Sequence, residues 1–336
     1  MRIKGSRINF GTHSIYKHPQ GIYIDGKFTA SQLNAQSHAQ GETRGYVSGR
    51  LIASVFNDSI ETFPFASDVG SEEYGNLTVT RESAAGQSSK TNGYTSGGYS
   101  APGSISHGVI DKFPFAGVTG SASDVGDLTA ARYGVAGQSS TTAGYTSGGR
   151  SLGPSGVPGF SVIDKFPFSA DVNATGVGDI SETRRSVTGQ SSITHGYTSG
   201  GTTPTPTASN TIDKFPFATD TNATDVGVLT QARSTAAGQS SGFSGYTSGG
   251  VTPTVWVTTI DKFYFASDIA ATTVGVLTQT RGGSAGQSST THGYTSGGRR
   301  PSSVDTIDKF PFSTDTNATD VGNLDASKDD LTGQQV

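Results

Sequence analysis

Cysteine is absent from the 336-residue chain, which excludes disulfides and thiolate metal sites. Charge is scarce: 23 Lys and Arg against 27 Asp and Glu give a net charge of −4. No basic cluster offers the electrostatic footprint that nucleic acid needs, and neither a phosphate-cradling loop nor a nucleophile elbow is present. Long apolar runs are lacking too. No window approaches the ~18 apolar residues of a membrane span, and the opening Met1 to Arg7 leads into no apolar stretch of an export signal. Hydrophobic residues are only 32% and charged ones 15%, with Gly, Ser and Thr filling the difference. Disorder of that kind comes with a high net charge, which this chain does not have. Regularly spaced Phe, Tyr, Val and Ile instead predict many short strands, each adding a thin slice of core.

What is present is a sixfold repeat. Gly-Tyr pairs at Gly45-Tyr46, Gly93-Tyr94, Gly144-Tyr145, Gly196-Tyr197, Gly245-Tyr246 and Gly293-Tyr294 fall 48 to 52 residues apart. Each belongs to a unit that reads GYTSGG, a variable stretch, IDKFPF, DVG, LTxxR and AGQSS, with some words worn. A period near fifty residues indicates a solenoid or a propeller.

The unit from Ser234 to Arg281 shows the parts most clearly. Ser234 to Ser241 is small and polar, as a strand crowded near an axis must be. Gly245 to Gly250 ends in a glycine doublet that permits close backbone approach. Thr259 to Ala266 alternates, with Ile260, Lys262 and Tyr264 facing one way and Asp261, Phe263 and Phe265 the other. Thr273 to Leu277 makes a fourth strand. Four strands per unit, separated by turns, predict a propeller blade. Pro64, Pro114, Pro167, Pro216 and Pro311 recur in the third strand, so that position is expected at an edge, a bulge or a non-bonded site.

Both ends hold a worn copy of the connector and first strand: Phe28 to Gln32 with Ala35 to His38, and Leu324 to Lys328 with Thr332 to Gln335. Seven first strands are thus available for six blades. One blade is expected to combine strands from both termini with Thr332 to Gln335 innermost, the N-terminal copy being displaced or added elsewhere.

An aromatic residue, a Gly-Gly doublet, an aromatic-bearing strand and an Arg before the next first strand together resemble the kelch-type propellers. The departure is the fourth strand, which reads Val-Gly-x-Leu where kelch blades carry Trp. The resemblance implies an all-β fold: a six-bladed kelch-like β-propeller with four antiparallel strands per blade over 28–336 and a short N-terminal extension over 1–27. The tandem IDKFPFA, TDVG, AGQSS and GYTSGG words also resemble repeat proteins of marine and freshwater bacteriophages described as tail-fibre or other virion proteins. A surface-like composition without an export signal fits a virion protein made in the host cytoplasm and released by lysis. Another export route or a longer precursor fits as well.

Several residues invite a chemical role. Arg81, Arg132, Arg184, Arg233 and Arg281 could converge on the axis to bind anions. Recurrence at one repeat position instead predicts structural forks that bond loop carbonyls between blades. Asp111, Asp164, Asp213, Asp261 and Asp308, each followed by Lys, are expected to cap turns or pair locally. The loops Thr219 to Asp225 and Thr314 to Asp320 offer oxygens for Ca²⁺, but Asx turns account for the same residues, so no metal is assigned. The Asn-x-Thr sequons at Asn76, Asn173, Asn222 and Asn317 are read as incidental to these loops. His13, His18, His38, His107, His195 and His292 show no ligand spacing. A kelch-class copper radical site needs a Tyr-Cys crosslink, which a chain without cysteine cannot form.

The repeat symmetry breaks in the loops between second and third strands, expected to emerge on one face as its binding surface. Tyr99, Phe160, Trp256, Arg299 and Arg300 are the candidates there. For Trp256, stacking on a sugar or anchoring a protein contact and packing against the adjacent blade both stay open. No catalytic residue and no cofactor is assigned, because a reaction needs one asymmetric constellation. The leading expectation is a non-enzymatic virion structural protein: a tail fibre, head fibre or decoration component. Its N-terminal arm, with Phe10, Tyr16 and Tyr23 on strand-like segments, would add to a partner's sheet and join other virion proteins or sister subunits in a homo-oligomer. A host-surface glycan is the expected ligand of the alternative, a glycan-binding adhesin. A carbohydrate-degrading enzyme is the third reading. Neither nucleic-acid binding nor membrane insertion is expected.

Overall fold

A computed structural model of the chain describes residues 40–336 apart from 53–54, 102, 118 and 153–158, with only the backbone at 50–52 and 55, and the backbone of three strands before residue 25. The chain divides into two compact units, Met1–Gln36 and Ser37–Val336. In the first, Arg7–Phe10, His13–His18 and Gly21–Ile24 form an antiparallel sheet with Tyr16 opposite Tyr23 and Phe10 opposite His13. The worn copy at 28–38 lies outside the described residues.

The second unit is a β-propeller without helices among the described residues: six blades, each of four antiparallel strands. Blade 5 is typical, running outward through Ala237–Ser240, Ser244–Ser248, Thr259–Tyr264 and Thr272–Val276. Blade 1 is built from both ends of the chain. Thr332–Gln335 is its innermost strand, paired with Arg44–Ile52, which leads to Val55–Pro64 and Glu72–Asn76. Blades 2 to 4 and 6 begin with Ala85–Ser88, Ala136–Ser139, Thr188–Ser191 and Ala285–Ser288.

Alternation along the third strand buries both faces, because each blade is sandwiched by two neighbours. Ile260 packs toward blade 6 with Tyr246, Leu277 and Phe310, while Phe263 packs toward blade 4 with Tyr197, Ile212 and Leu229. The second Phe of the Phe-Pro-Phe word, Phe-Tyr-Phe in blade 5, stacks on the repeat Tyr of the preceding blade, with centroids 4.8 Å apart in Tyr94–Phe168, Tyr145–Phe217, Tyr197–Phe265 and Tyr294–Phe65. Each such pair contributes about 0.5–1.5 kcal/mol beyond its buried area. The first Phe lies across the glycine of Gly-Tyr; a Cβ on Gly93 would sit 2.3 Å from Phe113 Cζ. Proline ends the third strand, as Pro216 does opposite His195, so its missing N–H removes no interior ladder bond.

The AGQS strands meet at the axis. A Cβ on Gly137, Gly189, Gly238 or Gly286 would lie 2.1 Å from the carbonyl oxygen of the equivalent glycine one blade back, so only glycine allows this approach. The glutamines close a second ring. Nε2 of Gln87, Gln138, Gln190, Gln239, Gln287 and Gln334 donates to the carbonyl of Tyr145, Tyr197, Tyr246, Tyr294, Tyr46 and Tyr94 respectively, at 2.9–3.1 Å.

The repeated Arg and Asp latch successive blades. Arg81 donates to the carbonyls of Val109 and Thr95 and to Asp111 Oδ2 at 2.8 Å, and Thr78 gives Asp111 both its N–H and its hydroxyl. Arg132–Asp164, Arg184–Asp213, Arg233–Asp261 and Arg281–Asp308 repeat the pair, all fully buried. The sixth junction replaces it with Lys328–Glu61. Asp therefore caps the connector turn but does not pair with its neighbouring Lys. That Lys reaches an exposed Asp on the following blade, as in Lys112–Asp171, Lys165–Asp220 and Lys262–Asp315.

Candidate functional site: the variable axial mouth

The five repeated arginines are consumed inside the junctions, away from the axial opening. The site lies where the repeat varies, just after each latch. The residue following the latch cation is Glu82, Tyr133, Arg185, Ser234, Gly282 or Asp329, and in blades 2 to 6 it forms an isolated bridge with the residue after Gly-Gly: Tyr99, Arg150, Thr202, Val251 and Arg299. Beside these bridges runs a ring of residues in the left-handed region: Ser83, Gly134, Ser186, Thr235, Gly283 and Asp330, with φ of 53–66°. A β-branched Thr at φ 53° is an outlier, held here by a closed circle of backbone bonds. Ser83 N–H donates to Asp330 O, Gly134 to Ser83, Ser186 to Gly134, Thr235 to Ser186 and Gly283 to Thr235 at 2.7–3.0 Å, and Leu331 N–H completes it on Gly283 O at 3.2 Å.

The rim of this mouth is asymmetric in charge. Glu82, Asp329 and Asp330 stand on one arc. Burial and the two aspartates push the Glu82 carboxyl up to about 8 against the pull of Arg299. Burial and Asp329 raise Asp330 to about 6, again opposed by Arg299. Glu82 Oε2 is buried without a hydrogen-bond partner, which fits a protonated carboxyl. Arg150 and Arg185 stand on the opposite arc, since Ser186 is three steps from Asp330 around the ring.

A pH dependence follows. Both carboxyls hold protons in the folded chain that they lose when unfolded, so stability falls as pH rises from the ordinary carboxylate range of about 4 through about 6 and about 8, and is level above that. Thermal melts of the protein should decline between pH 6 and 8, and Glu82→Gln should remove most of that decline. A wild-type melting temperature that climbs across this range would refute the assignment.

The expected loop residues are distributed unevenly. Trp256 is half-buried and lies on Gly282, where a Cβ would come within 2.8 Å of its Cζ3. The Arg299 guanidinium sits 5.9 Å from the indole centre, and its Nε is 3.4 Å from Asp329. The structure thus joins Trp256 and Arg299 at the acidic arc. Tyr99 packs on Tyr133 and Phe56 with centroids 5.1 and 5.6 Å apart. Phe160 stands apart, beneath the latch Arg132 at 5.6 Å. Arg300 is exposed in a two-residue strand opposite Ser302. Phe10, Tyr16 and Tyr23 belong to the N-terminal sheet.

Other candidates resolve into local structure. Asp220 accepts Lys165, Asn222 accepts the Asp179 N–H, and Asp225 bonds the N–H of Gly227 two residues on, an Asx turn. No group of three or more His, Asp or Glu among the described residues is placed to hold a metal ion. Ser100 Oγ and His107 Nε2 lie 2.7 Å apart, as a nucleophile and base would. Asp111, which acts on His107 electrostatically, has both oxygens engaged by Thr78 and Arg81, so the pair staples a hairpin and lacks an orienting carboxylate from it. Tyr133, Arg150, Arg185, Glu82 and Asp330 were missed as site residues. The signal for Glu82, Tyr133 and Arg185 was the column that follows the latch cation, for Asp330 the next column and for Arg150 the column after Gly-Gly, all unrepeated in an otherwise repeated word. No protein-family model matches the chain, and no curated protein matches its sequence.

Proposed function

We propose that this chain is a non-enzymatic structural protein of a bacteriophage virion, a kelch-like propeller that presents its variable mouth outward and joins the particle, or sister subunits, through residues 1–27. One observation carries the binding part of the reading. The repeated Arg, Asp, Gln and Tyr are engaged in bonds between blades, while the unrepeated Glu82, Tyr99, Tyr133, Arg150, Arg185, Trp256 and Arg299 stand on the bridges around a single mouth, where a repeat scaffold places its contacts. The virion part rests on the likeness of the tandem words to phage repeat proteins. Mass spectrometry of purified particles from cultures producing the chain, combined with a particle reconstruction, tests it. A propeller-sized projection and stoichiometric peptides are expected; recovery only in the soluble lysate overturns it. A second reading, an adhesin for host-surface glycan, is favoured by the charge asymmetry of the rim beside Trp256. A glycan array comparing the protein with Trp256→Ala separates it from a bare scaffold.

A further inference from the structure

The junction that closes the ring departs from the other five at four positions at once. Elsewhere a repeat Arg pairs with a repeat Asp, and a Thr or Ser of the connector bonds that Asp, as Thr78 and Thr278 do. An Ala, such as Ala223 or Ala318, precedes the fourth strand. Between blades 6 and 1, Lys328 stands in the Arg column, Glu61 in the Asp column, Asp325 in the Thr column and Ser71 in the Ala column. All four meet. Lys328 Nζ contacts Glu61 Oε1 and Asp325 Oδ1. Ser71 Oγ donates to Glu61 Oε2, and the Asp325 N–H lies 3.3 Å from the same oxygen while also reaching Ser71 Oγ at 3.2 Å. Lys328 and Glu61 are fully buried, whereas the Asp325 side chain is 44% exposed.

We infer that Lys328 Nζ and Glu61 Cδ join in a self-formed amide bond that locks blade 6 to blade 1 covalently. Each departure from the repeat supplies one part of that reaction. An Arg stays charged and cannot attack, whereas a Lys held away from water can give up its proton and act as a nucleophile. Glu61 brings the carboxyl carbon to it, one methylene further out than Asp. Asp325 is the base: its carboxylate takes a proton from Nζ, and the lone pair adds to Cδ. Negative charge gathers on Oε2, which already accepts from Ser71 and faces the Asp325 N–H, two donors placed as an oxyanion hole. Collapse completes the Nζ–Cδ amide and breaks Cδ–Oε1. Of the three ammonium protons one stays on the amide, and two pass through Asp325 to Oε1, which leaves as water on the exposed side. Asp325 ends as it began, and no further reactant is consumed.

Charge balance favours the product. The other latches set one guanidinium against one carboxylate, but here two carboxylates share one amine. The amide deletes one buried charge of each sign with its desolvation cost, and leaves Asp325 its charge near solvent. The bond also falls where a propeller opens. Its two residues come from opposite ends of the second unit, so it closes most of that unit into one loop and restricts the unfolded chain.

Intact-mass spectrometry of the denatured full chain tests it. The protein should be lighter than its sequence by one water, and trypsin should leave Lys328 uncut in a branched peptide that joins it to the segment holding Glu61. Lys328→Arg, which restores the cation of the other latches, and Glu61→Ala should both show the full sequence mass. Asp325→Thr restores the connector residue and keeps both reacting groups, so it should slow the loss of water about a hundredfold or more, read as the linked fraction over time in freshly made protein. A folded wild-type chain at its full sequence mass overturns the inference, whatever the variants do. So does a loss of water that persists in Lys328→Arg, or a branch that joins Lys328 to Asp325 and leaves the Glu61 peptide free.

Discussion

Removal of residues 332–336 is expected to unfold the propeller, not merely to shorten it. Thr332–Gln335 is the innermost strand of blade 1, in register with Ser48, Val47, Tyr46 and Gly45. Gln334 also bonds Ser48 Oγ, Tyr94 O and Thr95 Oγ1, and Val336 O accepts the N–H groups of Thr43 and Arg44. At about 0.5–1 kcal/mol per bond the segment contributes roughly 5–10 kcal/mol, comparable with the whole stability of about 5–15 kcal/mol. Its loss also breaks the glycine and glutamine rings and leaves the edge of Arg44–Ile52 facing an emptied axis. Near-ultraviolet circular dichroism and urea titration of the truncated chain should report no cooperative transition at 25 °C. A truncated protein melting cooperatively within a few degrees of the intact one would show that the ring holds without its closing strand.

That closure was legible because the worn C-terminal copy kept the spacing of its first-strand word. Strand number, the inner position of AGQS and the strand-terminal proline were legible for the same reason: each depends on residues within one unit. Partners between units were not. Nothing local says that Arg281 meets Asp308, or that Gln287 reaches the carbonyl of Tyr46 across 241 residues, since both contacts exist only after blades stack. The sixth junction contains a trace of it. Where the N-terminal unit has Glu61 in place of Asp, the C-terminal copy has Lys328 in place of Arg, so acid and cation change together. The mouth was half legible. Trp256 and Arg299 stood out as unrepeated residues, but their contact, and the pairing of Arg150 with Arg185 across two blades, follow from ring geometry.

Breaking one latch should be the costliest point substitution in the propeller. Asp308 is fully buried and holds Arg281 Nη2 at 2.8 Å together with the N–H and hydroxyl of Thr278. Burial pulls the arginine below its usual range and Asp308 pulls it back, so the charge is tolerated only because its partner is present. Asp308→Ala leaves a buried guanidinium uncompensated and uncaps the connector turn, at a cost of about 3–5 kcal/mol. Arg281→Ala should cost a similar amount. The double substitution Arg281→Met with Asp308→Leu should cost much less than the sum, since it removes both desolvated charges together. Lys262→Ala, which breaks the partly exposed bridge to Asp315 at 2.9 Å, should cost no more than about 1 kcal/mol. Urea unfolding of the four variants at pH 7 decides it. Additive losses in the double variant, or equal losses for Lys262→Ala and Asp308→Ala, would mean that the latches are not what couples one blade to the next.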